Sequence, residues 1–351
     1  MRAAVLRDGA IVVRDDAPDP VPAMGQVLVE VKACGICGSD LHFVDHGAEM
    51  LELGDQMHGM PDLGEMGPSK TDLGRDVYMG HEFSAEILEV GPDTDTLAPG
   101  TIVTSIPLLI GPTGFETIVY CNDIAAGYGE RMLLSAPLLL EVPNGLDPLH
   151  AALTEPMAVG LHAVNRSGIA QGDGALVLGC GPVGLAVIAS LAQRGISPIV
   201  ASDFSPARRA IATAMGAHVV SDAAHESAFD VWAREGKEQP LVVFEAIGVP
   251  GILNLVMRDA PRNARVLVVG VCMGHDDVVP FFGISKELEV RFALAYDPME
   301  FGASLRSLAE GEIDVTPMIT GQVALDGVPQ AFADLGDPEQ HCKILVVPGS
   351  Q

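Results

Sequence analysis

Glycines at 179, 181 and 184 fall between an apolar run, ALVLG, and a stretch of helical spacing from about Pro182 to Arg194. A backbone that must leave a buried strand, turn sharply and enter a helix at once has few solutions. The first glycine permits the tight turn, the second lets the backbone approach a pyrophosphate, and the third lets helix and strand pack closely. Gly179-Cys180-Gly181-Pro182-Val183-Gly184 therefore reads as a dinucleotide-binding turn. Asp203 ends the next apolar strand, nineteen residues beyond Gly184, where a carboxylate accepts hydrogen bonds from ribose hydroxyls and repels a phosphate, favouring NAD over NADP. Arg208 lies near enough to cover the adenine or to neutralise such a phosphate, and Gly270, after RVLVV, is read into the same site. The plainer alternative keeps the glycines as a turn and Asp203 as a solvated strand end.

Around this turn apolar strands alternate with helical stretches: ALVLG, SPIVASD, RRAIATAMGA, LVVFEAIG and RVLVVGV. That alternation predicts a doubly wound parallel sheet over residues 156–295. The first third differs, with short strands AAVL, QVLVEVKA, EFSAEILEVG, GTIVTSI and ERMLLSA separated by Gly and Pro, an all-β and partly closed pattern. Between them EPMAVGLHAV sets Met157, Leu161 and Val164 at helical spacing. The tail ends in the strand-like HCKILVVP, so a catalytic domain over 1–155 is expected to continue in 296–351, with the nucleotide domain inserted. Residues 43–79, rich in Met, Gly and acid, show little periodicity and read as loop with a short helix.

Composition narrows the partners. A chain of 351 residues, 48% hydrophobic and 19% charged, has the material for two packed domains. Its formal charge of −27 repels phosphate backbones and anionic headgroups, which argues against nucleic acid and membrane surfaces. No apolar run approaches the roughly 20 residues needed to span a bilayer, and the first residues lack the apolar core of a signal peptide. A cytoplasmic home is expected, where the six cysteines are thiols or metal ligands.

A second constellation joins Cys37-Gly38-Ser39-Asp40-Leu41-His42 to Gly80-His81-Glu82. Thiolate, imidazole and carboxylate are zinc-ligand types, and a catalytic zinc needs three protein ligands and an open position. Cys37 and His81 lead the set. Glu155, opening the linking helix, is the natural third, and Glu82 exchanges with water as a fourth; which glutamate binds at rest stays open. Cys34 and Cys37 form a C-x-x-C, yet the βαβ context of a redox dithiol is missing, so Cys34 reads as a buried small residue.

The strings KACGICGSDLH, GHEFSAEILEVG, TEPMAVGLHAV and VLGCGPVGL, spread over nearly the whole chain, resemble the zinc-containing medium-chain dehydrogenase/reductase (alcohol dehydrogenase) family. The branch is similar to sorbitol, threonine and bacterial secondary-alcohol dehydrogenases. The resemblance implies a GroES-like, partly closed β-barrel catalytic domain beside a Rossmann nucleotide domain. It also implies a small-molecule alcohol or ketone substrate, a homodimer or homotetramer, and zinc-assisted hydride transfer to nicotinamide. Ser39 matches the position that hydrogen-bonds the substrate oxygen, His42 the one that hands the proton outward, and Asp40 the carboxylate that orients His81. Each has a structural alternative: Ser39 as a turn cap, His42 as a surface histidine, Asp40 as a helix cap. The competing activities are reduction of a bulky hydrophobic ketone and zinc-free enoyl or quinone reduction, the latter opposed by the intact ligand set.

Two departures from the family pattern stand out. Between His81 and Glu155 the only cysteine is Cys121, so a four-thiolate structural zinc has no ligands and one zinc per subunit is expected; GPTGFETIVYCNDIAAGYGE suits a compact turn there. The spacing from Cys37 to His81 implies an insertion of about twenty residues carrying His46, Met50, Met57, His58, Met60 and Met66. It is read either as a lid or pocket wall or as an oligomer contact.

Overall fold

A computed structural model describes residues 1–57, 71–111, 114–236 and 238–350. The chain divides into two compact units, Met1–Glu155 with Ile319–Asp337 and Lys343–Gln351, and Pro156–Met318 with Pro338–Cys342.

Ten strands open the first unit: β1 (Ala3–Arg7), β2 (Ala10–Arg14), β3 (Gln26–Gly35), β4 (Val77–Tyr78), β5 (Glu82–Val90), β6 (Ile102–Ser105), β7 (Leu108–Gly111), β8 (Gly114–Thr117), β9 (Arg131–Ser135) and β10 (Leu139–Glu141). Among the described residues three helices accompany them, α1 (Gly38–Met57), α2 (Pro148–Ala151) and α3 (Thr154–Ser167), the last carrying the chain into the second unit. Alternation governs the packing. In β3 the side chains of Val27, Val29 and Val31 are buried while Leu28, Glu30 and Lys32 are only half-covered, the period of two expected for one core-facing side. Each such fully buried Val contributes roughly 1.5–3 kcal/mol of hydrophobic stabilisation.

Six strands form the sheet of the second unit: β11 (Gly174–Leu178), β12 (Ile199–Asp203), β13 (Val219–Asp222), β14 (Leu241–Glu245), β15 (Arg265–Val268) and β16 (Glu289–Phe292). They are connected by α4 (Pro182–Gln193), α5 (Pro206–Ala214), α6 (Ala228–Glu235), α7 (Ile252–Asp259) and α8 (Pro280–Lys286), and followed by α9 (Pro298–Ala309). All neighbours are parallel and run in the order β13-β12-β11-β14-β15-β16. The central β11 and β14 are buried along their whole length, as strands covered on both faces must be. The order reverses between β11 and β14, which opens a crevice at their carboxyl ends.

The chain returns to the first unit through β17 (Ile319–Val323), α10 (Val328–Asp334) and β18 (Lys343–Val346). β18 pairs antiparallel with β3, setting Leu345 opposite Gly35 and Val346 opposite Cys34, and completes the order β10-β6-β5-β3-β18-β17, with β9 also on β3. The return falls at Ile319, later than the expected 296. The reason is α9, whose Phe301, Leu305 and Leu308 are buried and whose Glu300 accepts from Asn165 at 2.5 Å and contacts His162 Nδ1 at 2.7 Å.

The segment read as loop begins as helix. α1 runs to Met57 with a non-helical residue at His46 (φ −131°, ψ 23°), and its apolar face, including Phe43, Val44, Met50 and Leu51, lies on the core of the first unit. The kink resets that face by part of a turn, which is why no single helical period shows in the sequence. His46 contacts Glu49 at 2.7 Å on the surface. His58, Met60, Met66 and the Met57 side chain, on which the lid reading depended, lie outside the described residues. The segment 111–130, expected as a compact turn, contains strand β8, paired antiparallel with β7 just before it, and Cys121 forms an isolated bridge with Tyr78. Among the described residues no helix is long and apolar enough to cross a membrane.

Candidate active site

In the first unit β3 ends at Gly35, and Cys37 occupies the turn into α1, its carbonyl accepting from the Asp40 and Leu41 amides. Asp40 answers by accepting from the Cys37 amide through Oδ2 at 3.1 Å, and the same oxygen accepts the Tyr128 hydroxyl at 2.6 Å. The other oxygen, Oδ1, stands 3.5 Å from His81 Nδ1, and both atoms are buried without a hydrogen bond among the described residues.

His81 follows Gly80, whose φ of +101° suits glycine and whose absent Cβ would stand 2.8 Å from the Tyr128 ring and amide. The imidazole hydrogen-bonds the Cys37 side chain. Burial opposes its charged form, but Asp40, Cys37 and the charge of Glu155 outweigh this and hold it well above the ordinary imidazole value. Burial in turn pushes the Asp40 carboxyl up, against His81, Tyr128 and the Cys37 amide. Glu155, half-buried, lies in the first turn of α3. Among the described residues no three Cys, His, Asp or Glu side chains are already drawn together as a metal cage.

Glu82 corrects the expectation of an exchangeable ligand. It is fully buried, and Lys343 Nζ reaches both of its carboxylate oxygens at 2.7 Å and the Ile36 carbonyl at 2.9 Å. A Cβ at Gly35 would stand 2.0 Å from Glu82 Oε2, so the carboxylate is boxed in as well as paired. Nothing local in the sequence links residues 261 positions apart; the one hint was a lysine inside an apolar strand.

Ser39, half-buried, and His42, exposed, lie in the first turns of α1. The Tyr120 hydroxyl is buried beside Ser39, and its ring stacks on Phe43 with centroids 3.8 Å apart and planes 7° from parallel. Burial raises this phenol well above its ordinary value. Tyr120 and Tyr128 escaped the sequence reading because both sit in the segment treated only as a turn. Cys34 is buried, and Cys121 donates to the Thr117 carbonyl at 2.7 Å.

In the second unit the glycines divide by purpose. Gly179 has φ +91°, and a Cβ at Gly184 would stand 2.0 Å from the Gly179 carbonyl oxygen, so both are demanded by the protein's own backbone. A Cβ at Gly181, which caps α4 ahead of Pro182 and Val183, would meet no protein atom within 4 Å. Its bareness leaves the helix N-terminus open to an approaching ligand. Asp203 faces this loop, with Oδ2 accepting from the Cys180 amide at 2.7 Å and Oδ1 from the Ser205 amide at 2.8 Å. Arg209 is committed to the Asp203 and Phe204 carbonyls and to Asp222, whereas Arg208 Nε is buried without a partner among the described residues. Glu245 Oε1 accepts from the Ile247 and Gly248 amides, and a Cβ at Gly270 would stand 2.4 Å from the Gly248 nitrogen, pressing the turns after β14 and β15 together.

Residues 23–144 match the alcohol dehydrogenase GroES-like domain and residues 182–310 the zinc-binding dehydrogenase domain. The chain is 31% identical to (R,R)-butanediol dehydrogenase of Bacillus subtilis (strain 168) over 94% of each chain. It is 25% identical to sorbitol dehydrogenase of the same organism over 99% of this chain and 97% of that one. The crystal structure of 2R,3R-butanediol dehydrogenase from Bacillus subtilis superposes with a TM-score of 0.82 at 29% identity, covering 99% of both chains. A Sinorhizobium meliloti 1021 structure bound to NADP superposes at 0.79 with 27% identity, covering 99% of both chains. The chain belongs to the zinc-containing medium-chain alcohol dehydrogenase family and is an oxidoreductase of that class.

Proposed function

We propose that this enzyme oxidises a secondary alcohol or polyol to the carbonyl, with NAD as acceptor and one zinc ion per chain held by Cys37, His81 and Glu155. The observation that carries the reading is the contact of Cys37 with His81, backed by a wholly buried Asp40 and reached by the charge of Glu155. Cys37, His81 and Glu155 are thiol, imidazole and carboxylate, the donor types a catalytic zinc takes, and the buried Asp40 faces the His81 Nδ1 edge, leaving the opposite ring nitrogen for the metal.

When bound, zinc supplies a Lewis acid that lowers the pKa of an alcohol, and the nicotinamide supplies the hydride acceptor. Ser39 Oγ receives the substrate hydroxyl proton, and His42, on the same helix and exposed, passes it to water. Tyr120, lying beside Ser39 and stacked on Phe43, limits the space in which that hydroxyl turns. Asp203, already holding the glycine loop by its edge, accepts from ribose hydroxyls and disfavours a phosphate, and Arg208 is free to cover the adenine.

The butanediol and sorbitol dehydrogenases among the relatives support vicinal diols and polyols as first substrates. The edge strand β16, with exposed Phe292 and Leu294 beside it and Phe281 and Ile284 on the preceding α8, supports a homodimer joined along this edge in the cytoplasm. The apolar segment VVPFFGI contributes to helix α8.

Elemental analysis of purified protein together with nicotinamide absorbance on 2,3-butanediol, sorbitol and their ketones tests the reading. One zinc per chain and faster turnover with NAD than with NADP are expected. Active protein devoid of zinc, or a Cys37→Ser variant with undiminished turnover, contradicts it.

A further inference from the structure

The Tyr128 ring is fixed on several sides. Gly80 presses its bare Cα face against the ring, Phe332 meets it edge-on at 5.9 Å and 87°, and the Tyr128 amide donates to the Met79 carbonyl at 3.1 Å while its carbonyl accepts from Ala4 at 2.8 Å. Filling this space accounts for the ring and leaves the hydroxyl unexplained, because phenylalanine fills it equally. The hydroxyl has one proton and two acceptors within reach, Asp40 Oδ2 at 2.6 Å and the Gly35 carbonyl at 3.3 Å. The shorter contact, to a carboxylate, takes the proton. Burial and the neighbouring Asp40 charge hold the phenol well above its ordinary value, so it stays a donor.

Oδ2 thus carries two donors, the Tyr128 hydroxyl and the Cys37 amide, and the planarity of the carboxylate then dictates where Oδ1 stands, facing His81 Nδ1 at 3.5 Å. Asp40 has no exposed surface, so no bulk water is at hand to replace a lost donor. We propose that Tyr128 is a positioning residue, whose hydroxyl holds Asp40 in the orientation that presents the His81 ring for zinc binding. The inference rests on the ligand set proposed above.

The test is Tyr128→Phe in the full-length protein, with zinc affinity measured by competition against a chromophoric chelator and melting midpoints taken with and without zinc. Loss of the carboxylate partner of a zinc-bound histidine costs about 10–100-fold in affinity, so loss of the group steering that carboxylate is expected to cost about 3–10-fold. The rise in midpoint on adding zinc shrinks accordingly. In an Asp40→Asn background the same change adds less than about two-fold, because the hydroxyl acts through Asp40. If that background fails to fold, the zinc increment of the single variant decides. An unchanged zinc affinity, equal falls in both midpoints, or a full additional loss beside Asp40→Asn overturns the inference. Wild-type protein that binds no zinc overturns the proposed function and this inference together, whereas normal wild-type binding with an unaffected variant overturns this inference alone.

Discussion

Replacing Lys343 by Met leaves the Glu82 carboxylate buried with its cation removed. Both side chains are without exposed surface, and the ammonium makes two 2.7 Å contacts to the carboxylate and a 2.9 Å bond to the Ile36 carbonyl. Removing one partner of such a pair costs about 3–5 kcal/mol, since the survivor keeps its desolvation penalty and loses its compensation. Spread over a unit of roughly 180 residues, this lowers the melting midpoint by about 6–20 °C. Removing both charges in Lys343→Met/Glu82→Met brings stability back to within about 1–2 kcal/mol of wild type, because the buried pair itself adds little over well-packed apolar groups. The assay is thermal and urea unfolding followed by far-ultraviolet circular dichroism and by tryptophan fluorescence. The sole tryptophan, Trp232, is buried in the second unit, so its fluorescence follows that unit while the dichroism follows both. A fall below about 1 kcal/mol in Lys343→Met, or a double variant no more stable than the single one, refutes the reasoning.

Gly184→Ala is expected to cost about 1–3 kcal/mol and to abolish cofactor binding by calorimetry, because the added Cβ falls 2.0 Å from the Gly179 carbonyl and neither backbone can yield. Asp76 is half-buried, and although burial works against its charge, Arg14 and Arg7 outweigh this and hold its carboxyl below the usual range. A depressed folded-state value adds stability above the unfolded Asp value near 3.9 and loses it as the pH falls through the folded one. Asp76→Asn therefore lowers stability by about 0.5–1 kcal/mol at pH 7, and the difference from wild type closes progressively below about pH 4 in melts run across that range.

Periodicity is visible to sequence where one rule acts over several residues. The strands β3, β5, β11 and β14 and the glycine turn between β11 and α4 were all apparent in that way, as was a helix opening at Glu155. Cys37, Ser39, Asp40, His42 and His81 were singled out from their registers, and the structure brings Cys37, Asp40 and His81 together with Ser39 and His42 in the first turns of α1. What sequence hid were pairings made across distance or across a broken period. Lys343 claims Glu82 from the other end of the chain, and the kink at His46 scrambles the apolar stripe of α1. Glu300 binds α9 to α3 through hydrogen bonds that no hydropathy pattern records, which displaced the expected boundary. Tyr128 lies between Gly127 and Gly129, and Tyr120 in the same segment, where a turn is the simplest reading and a buried hydroxyl leaves no trace.

The antiparallel seam between β3 and β18 couples residues near the start of the chain to residues near its end. During synthesis the parallel sheet, contiguous from β11 to β16, has all its strands in hand well before β18 emerges from the ribosome. The barrel-like sheet has to wait with only the Cys34–Gly35 end of β3 bare on the flank that β9 already covers at Gln26–Glu30, and with Glu82 lacking its cation. Completion of the first unit thus waits on β18, which is translated after every strand of the parallel sheet.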